Sequence, residues 1–292
     1  MNRLSFRVAG LDVVIQSDDA DPFILPSEFT PFVLDQSVES SPASFFTVSQ
    51  PCQSEADSVI APVSWQSDLV RLRHLPDAPI FIEIFDATSA DWRLAAMVAK
   101  DFSSGTLYRG IVRPDLPLHH PHDRLIILGM LAHRAGGVVH CSCVLDRGRA
   151  LLFVGRSGVG KTTIARIWRD AGATILNDER NIIRIEDGVP LAGSSPWHGE
   201  ENQVSPLHAP LAGVFFLRQA AENSVSECKP AEAVTSLFTS TLVPVFIPSG
   251  PDLILQSWSD LFERTPAYNL GFTPDHRVVD VCRDVISNST TT

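Results

Sequence analysis

The sequence predicts an α/β protein with a β-rich N-terminal part, and three observations point there. From about residue 123 onward, apolar runs that read as strands alternate with helical patterns. Before that, short strand-like runs follow one another through many turns. Between the two helical patterns nearest the middle lies Leu151-Leu-Phe-Val-Gly-Arg-Ser-Gly-Val-Gly-Lys-Thr-Thr163, an apolar strand, a glycine loop and a helix start in immediate succession. The expected domains are 1–113, β-rich, and 114–292, built around the glycine loop.

Composition bounds the class. The 292 residues are 44% apolar and 20% charged, ordinary for a chain that buries a full core. A net charge of −11 argues against a nucleic-acid or anionic-membrane partner, since both need basic surface. The five cysteines (Cys52, Cys141, Cys143, Cys228 and Cys282) are odd in number and irregularly spaced, so free thiols are expected. The alternation at Cys141-x-Cys143 puts both on one face of a strand. The N-terminus carries Arg3 and Arg7 and lacks the apolar run of a signal peptide. The longest apolar stretches fall short of a bilayer span, and the expected location is cytoplasmic.

In chain order, Leu4–Ala9 and Leu11–Ile15 form an opening hairpin about Gly10. Asp-, Pro- and Ser-rich loops follow, with short apolar runs at Pro31–Leu34, Phe45–Val48 and Val59–Val63. Leu69–Arg73, Pro79–Phe85 and Thr106–Val112 read as strands. Ser89–Lys100 is helix or strand by pattern, and the alternation of Trp92, Leu94, Ala96 and Val98 favours strand. Pro114–His122 is a connector whose His119, His120 and His122 read as solvated, no carboxylate or thiol completing a metal set. Asp123 caps a helix over Arg124–Arg134, stopped by Gly136-Gly137. Val138–Leu145 is a strand, turned by Asp146-Arg-Gly-Arg149 into Ala150–Val154. The next helix buries Ile164, Ala165, Ile167, Trp168 and Ala171 and ends at Gly172. Two strand-like runs flank Asn177-Asp178-Glu179, and a long loop runs from Gly188 to Pro210. Strands at Leu211–Leu217 and Ala267–Phe272 and helices at Lys229–Ser240, Asp252–Glu263 and His276–Ile286 complete the chain.

The glycine loop carries the chemistry. Gly155-Arg156-Ser157-Gly158-Val159-Gly160-Lys161-Thr162 is a complete G-x-x-x-x-G-K-T. Its glycines let the backbone curl and aim N–H groups at phosphate oxygens, and the helix beginning near Lys161 adds its positive end. Lys161 reaches β- and γ-phosphates and the Thr162 hydroxyl holds Mg²⁺. The expected ligands are ATP and Mg²⁺, cradled from Gly155 through Thr163.

With His140 on the preceding strand and Asp178-Glu179 close behind the first helix, the order over residues 137–186 resembles HPr kinase/phosphorylase and its relatives, whose nucleotide fold is related to phosphoenolpyruvate carboxykinase. The resemblance implies His140 beside the γ-phosphate, Asp178 as the base that takes a serine proton, and Glu179, longer than the usual Asp, on Mg²⁺ directly or through water. The Glu-Ile-Arg-Gly stretch of true HPr kinases is absent. The whole arrangement looks like the shorter relatives found with peptide-maturation systems, including lasso peptide kinases, which implies a serine of a precursor peptide as acceptor. HPr kinases are hexameric, so a homo-oligomer is a further implication. Alternatives remain: a small-molecule or phosphoenolpyruvate-carboxykinase-like phosphotransferase, or a non-catalytic nucleotide-binding regulator. Arg156 and Arg218 are alternative candidates to meet γ-phosphate charge, and the sequence favours neither. Glu200 and Glu201 are metal ligands, peptide contacts or plain loop charges. Trp197, His198 and Glu200 are expected near the mouth of the phosphate site, because their segment follows the acidic pair directly.

Overall fold

The computed structural model describes residues 2–17, 21–34, 44–49, 61–74, 78–86, 91–109, 115–116, 118–199 and 204–289. It is a mixed α/β structure with two large sheets. Glu200, Glu201 and Cys52 lie outside the described residues. The chain divides into two compact units: Met1–Arg7 with Leu11–His133 and Pro244–Gly250, and Val8–Gly10 with Arg134–Val243 and Pro251–Thr292. By contacts, the helix at 122–132 therefore groups with the first unit, whereas the sequence reading placed it with the second.

The first unit is organised by an eight-stranded sheet. Its strands are β1 (Asn2–Val8), β2 (Leu11–Ser17), β3 (Ser44–Ser49), β4 (Val63–Gln66), β5 (Val70–Arg73), β6 (Ile80–Asp86), β7 (Asp91–Val98) and β8 (Ser104–Tyr108), in the order β1-β2-β3-β8-β7-β6-β5-β4. Ile80 and Ile82 of β6 are buried, and so is Glu83, whose carboxylate accepts from the guanidinium groups of both Arg71 and Arg73. Arg71 also stacks 4.6 Å over the Trp92 ring. Within the run at 89–100, Asp91–Val98 is strand, as the alternation indicated; residues 89 and 90 lie outside the described residues. Strand β4 escaped the sequence reading because it is an edge strand with little buried surface, so no alternation marks it.

Helix α1 (His122–Ala132) differs from expectation at both ends. Asp123 does not cap it; Pro121 holds the cap position and Asp123 sits buried in the first turn. Gly136-Gly137 does not stop it either. The exit is made at Ala135, in left-handed backbone at φ 48°, and the two glycines open the next strand. They are glycines because of crowding: a Cβ on Gly136 would stand 2.7 Å from Arg184 Cβ. The histidine connector is not simply solvated. His122 is buried, its ring edge-on to His119 at 4.6 Å, and His119 Nδ1 lies 2.9 Å from the Leu116 carbonyl.

The second unit contains β9 (Gly136–Asp146), β10 (Arg149–Val154), β11 (Thr174–Asn177), β12 (Arg180–Glu186), β13 (Val189–Ser194), β14 (His208–Gln219), β15 (Ser224–Glu227) and β16 (Ala267–Phe272). Its helices are α2 (Lys161–Asp170), α3 (Pro230–Phe238), α4 (Gly250–Phe262, its first residue clustering with the other unit) and α5 (Arg277–Ser289). The strand order is β10-β9-β12-β13-β14-β16-β15, with β11 on β9 and a further parallel pairing of β10 with β14. That last pairing closes β10, β9, β12, β13 and β14 into a ring. Strands β9 and β14 are long enough to serve two sets of partners each: β9 pairs with β10 over Cys141–Asp146 and with β12 over Gly136–His140.

Strands β10, β14 and β16 run parallel, and Phe153, Phe215 and Tyr268 fall in one register row across them. Their rings stack at 5.5 and 5.1 Å, and Trp168 of α2 closes the row 5.9 Å from Phe153. Helices α2 and α5 cover this face with Ile164, Ile167, Val278, Val279 and Cys282. Arg283 of α5 lies over Trp168 and makes two hydrogen bonds to Asp146, at 2.7 and 3.0 Å. Cys141 and Cys143 are buried free thiols as expected, and burial pushes the Cys141 thiol up to about 12.

The expected loop from Gly188 to Pro210 is shorter than the sequence suggested. Asp187 and Gly188, both at positive φ (49° and 79°), make a tight hairpin turn, and β13 follows at once. Pro190 and Pro210 sit in paired strand positions, where they obscured the pattern. Strand β15, another exposed edge strand, was also missed.

Candidate functional site

The glycine loop joins the carboxyl end of β10 to α2, the end of a parallel strand where α/β proteins place ligands. Gly158 (φ 77°) and Gly160 (φ 113°) adopt left-handed backbone that other residues resist. Gly160 is constrained twice, since a Cβ there would stand 2.7 Å from the Phe272 ring. Arg156, Ser157 and Gly158 are exposed, Gly155, Val159 and Gly160 half-buried. Ile164 N–H donates to the Gly160 carbonyl at 2.9 Å, which starts the helix. The N–H groups ahead of it are the ones a helix leaves without an internal acceptor. Thr162 is half-buried and Thr163 exposed in that first turn.

Lys161 is only 8% exposed. Its ammonium donates to the carbonyls of Gly155 (2.9 Å) and Arg156 (3.2 Å), so the side chain folds back along the loop it follows. Burial lowers its pKa, opposed by the Cys141 and Glu179 side chains.

The acidic corner joins β11 to β12, and Asn177 builds it. Its Oδ1 accepts from the N–H groups of Glu179 (2.8 Å) and Arg180 (3.1 Å), an Asx turn that sets the direction of both acids. Asn181 braces the other side, donating from Nδ2 to the carbonyls of Cys141 (2.7 Å) and Asn177 (3.1 Å). Ser142 Oγ donates to the Asp178 carbonyl at 3.0 Å. Asp178 is buried, and Glu179 is half-buried with Oε1 bonded to Arg180 at 2.9 Å.

His140 lies on β9 directly opposite Arg180 of β12, so the two side chains leave the same face. Its pKa is lowered, chiefly by burial and then by Lys161 and Arg180, while Glu179 and Asp178 pull the other way. Neutral imidazole is thus favoured near neutral pH. Lys161, His140, Asp178, Glu179 and Arg180 share one electrostatic neighbourhood. Arg218 stands exposed near the end of β14, two residues past Phe216, which pairs with Val154 at the foot of the loop.

The segment after β13 reaches the same corner. A Cβ on Gly199 would lie 2.7 Å from Glu179 Cβ and 2.9 Å from Asp178 Oδ1. Trp197 is buried and His198 exposed. Sequence reading placed this segment near the site but missed what holds it: Asn177, Asn181, Arg180 and the bare Gly199. An Asn directly before the acids was the available signal, since Asn accepts from N–H groups two and three residues on. Among the described residues, no group of three or more His, Cys, Asp or Glu could hold a metal ion. A hydroxyl with a carboxylate and waters, as Thr162 and Glu179 offer, is nevertheless a donor set of the hard oxygen kind that Mg²⁺ takes. No helix among the described residues is long and apolar enough to cross a membrane.

No family model matches this chain, and no curated protein matches it. Among solved structures it is similar to an HPr(Ser) kinase/phosphatase from Coxiella burnetii, at 8% identity and a TM-score of 0.32, over 52% of this chain and 98% of that one. An overlay this loose assigns neither activity nor substrate.

Proposed function

We propose that the second unit binds ATP with Mg²⁺ and transfers the terminal phosphoryl group to an alcohol, in its finer form the hydroxyl of a serine in a peptide or protein. The observation that supports this best is the complete G-x-x-x-x-G-K-T, with Gly158 and Gly160 in left-handed backbone and an acidic corner within electrostatic reach of Lys161. A loop that only turned the chain could use a left-handed glycine, as Gly188 does, but would need neither the Lys161-Thr162 pair nor an acidic corner beside it.

Phosphoryl transfer needs alignment and charge neutralisation more than covalent help. In the proposed reaction the loop N–H groups from Gly155 to Thr163 and the Lys161 ammonium hold the triphosphate, Lys161 exchanging its carbonyl partners for phosphate oxygens. Mg²⁺, held by Thr162 with Glu179 directly or through water, would supply further neutralisation of the phosphate oxygens. Asp178 orients the acceptor hydroxyl and takes its proton. The acceptor oxygen bonds to the γ-phosphorus as the bond from that phosphorus to the bridging oxygen breaks, and ADP leaves with the bonding electrons. Neutral His140 donates a hydrogen bond to the moving phosphoryl oxygens or to Asp178.

The test is direct: titrate the protein with ATP in the presence and absence of Mg²⁺, then follow transfer of labelled γ-phosphate to serine-bearing peptides, free serine and water. Mg²⁺-dependent binding with transfer to a peptide serine supports the full reading. Binding without transfer to any alcohol leaves a nucleotide-binding regulator, and no binding removes the proposal.

A further inference from the structure

The acidic corner and the segment that follows β13 are tied together by one side chain. Asn177 Oδ1 shapes the corner, and its Nδ2 donates to Ser194 Oγ (3.1 Å) and to the carbonyls of Ser195 (3.4 Å) and Trp197 (3.1 Å). The tie is doubled at Ser195, whose N–H (3.2 Å) and Oγ (2.8 Å) both donate to the Arg180 carbonyl. Asn177 and Ser195 are wholly buried, so these bonds form where water does not compete. At the end of the tied stretch Gly199 brings bare main chain against Asp178 Oδ1 and Glu179 Oε2, leaving no room for a Cβ.

We propose that Asn177 and Gly199 are positioning residues: Asn177 docks residues 195–199 onto the acidic corner, and the Gly199 main chain forms the wall against which the phosphoryl acceptor is held at Asp178. The inference rests on the phosphoryl-transfer reading above and adds how the acceptor is placed. A wall built of main chain and hung from the turn that aims the acids cannot move without them, so acceptor and base keep one spacing. The nucleotide cradle, on β10 and α2, has no such dependence. The two functions should therefore separate by mutation.

Wild type, Gly199→Ala and Asn177→Ser are compared as full chains, with Lys161→Ala as the nucleotide control. Three quantities are read: ATP affinity with and without Mg²⁺ by calorimetry, Mg-ATP turnover with N-acetylserine amide and with water as acceptors, and amide hydrogen exchange over 195–199. A misplacement of about 1 Å costs about 100-fold in rate, so Gly199→Ala should lower kcat by that factor. Its Kd for ATP without Mg²⁺ should stay within about twofold, whereas Mg²⁺ affinity is read separately because the added Cβ presses on Glu179; a thermal melt confirms that the variant is folded. Asn177→Ser should lower kcat likewise and speed exchange at 195–199. Their rate losses should not add in the double variant, because both act through one wall. Wild-type kcat in Gly199→Ala overturns the proposal, as do unchanged exchange in Asn177→Ser or fully additive losses. If Asn177→Ser fails to fold, Gly199→Ala decides alone, since that glycine is half-buried and not in left-handed backbone. A wild-type chain that ignores Mg-ATP, or a Lys161→Ala variant that turns it over normally, sinks the phosphoryl-transfer reading instead; exchange at 195–199 then still reports whether Asn177 docks the segment.

Discussion

Each unit buries a cluster of charge, and the two clusters are finished differently. In the first, Glu83 sits 2% exposed with both Arg71 and Arg73 on its carboxylate, and Arg71 rests on Trp92. Both arginines meet the carboxylate through Nε, and Arg73 also donates from Nη1 to the Ala61 carbonyl at 2.9 Å. In the second, Lys161 is also buried, yet its ammonium meets two main-chain carbonyls and no carboxylate directly, with Glu179 turned to Arg180. Carbonyl dipoles hold a cation less firmly than an ion pair does. The first cluster is a closed contact that supports a sheet. The second can exchange partners, which is what a phosphate-binding lysine must do.

Four substitutions test this difference between the two clusters. Asp178→Asn keeps shape and removes the proton acceptor; transfer should fall by about 10²–10⁴-fold while ATP still binds. Single-turnover transfer beside nucleotide titration checks it, and a parallel loss of Mg²⁺ affinity would make Asp178 a metal ligand. Lys161→Ala should lower turnover by about 10²–10³-fold, the usual worth of one electrostatic stabiliser, with little loss of stability because only two bonds to carbonyls go. A large drop in melting temperature would put Lys161 in the same structural class as Glu83. Glu83→Gln should do the reverse: about 3 kcal/mol of stability lost by leaving two arginines without their carboxylate, and no change in nucleotide affinity. Denaturant melts and ATP titration on the same sample check it. The smallest effect is titration of His140. Its folded pKa lies below the ordinary imidazole value of 6.5, so the unfolded chain binds the proton more readily and stability rises with pH through the window just under 6.5. It is lost as pH falls through the folded value, at no more than about 1.4 kcal/mol per pH unit. His140→Gln should flatten the pH dependence of the melt in that window.

Much of this was legible in the sequence, and the failures have physical causes. The order of strands and helices from Val138 to Asp178 followed from apolar runs and glycine punctuation, because buried parallel strands and an amphipathic helix leave strong patterns. Edge strands β4 and β15 left none, since little of them is buried. Gly136-Gly137 was misread as a stop because a glycine demanded by a close neighbour looks the same in sequence as one demanded by a turn. His122 and Asp123 were read as solvent-facing or capping, and tertiary packing buried both. In the site, residues named by a motif were found, whereas Asn177, Asn181 and Gly199 serve their neighbours through hydrogen bonds and close approach, which only folding reveals.

Strand β9 has a mechanical consequence. It changes partner at its middle, pairing with β10 beyond Cys141 and with β12 up to His140, so the strand that leads to the glycine loop and the strand that leaves the acids hang from one girder at a fixed offset. A single-residue slip anywhere along it would invert the side chains at both ends together, turning His140 away from Arg180 and disordering the core behind Phe153 in the same event. Insertions are cheap in surface connections. A length change within Gly136–Asp146 would be felt by the glycine loop and the acids at once, and that stretch works as the gauge of the molecule.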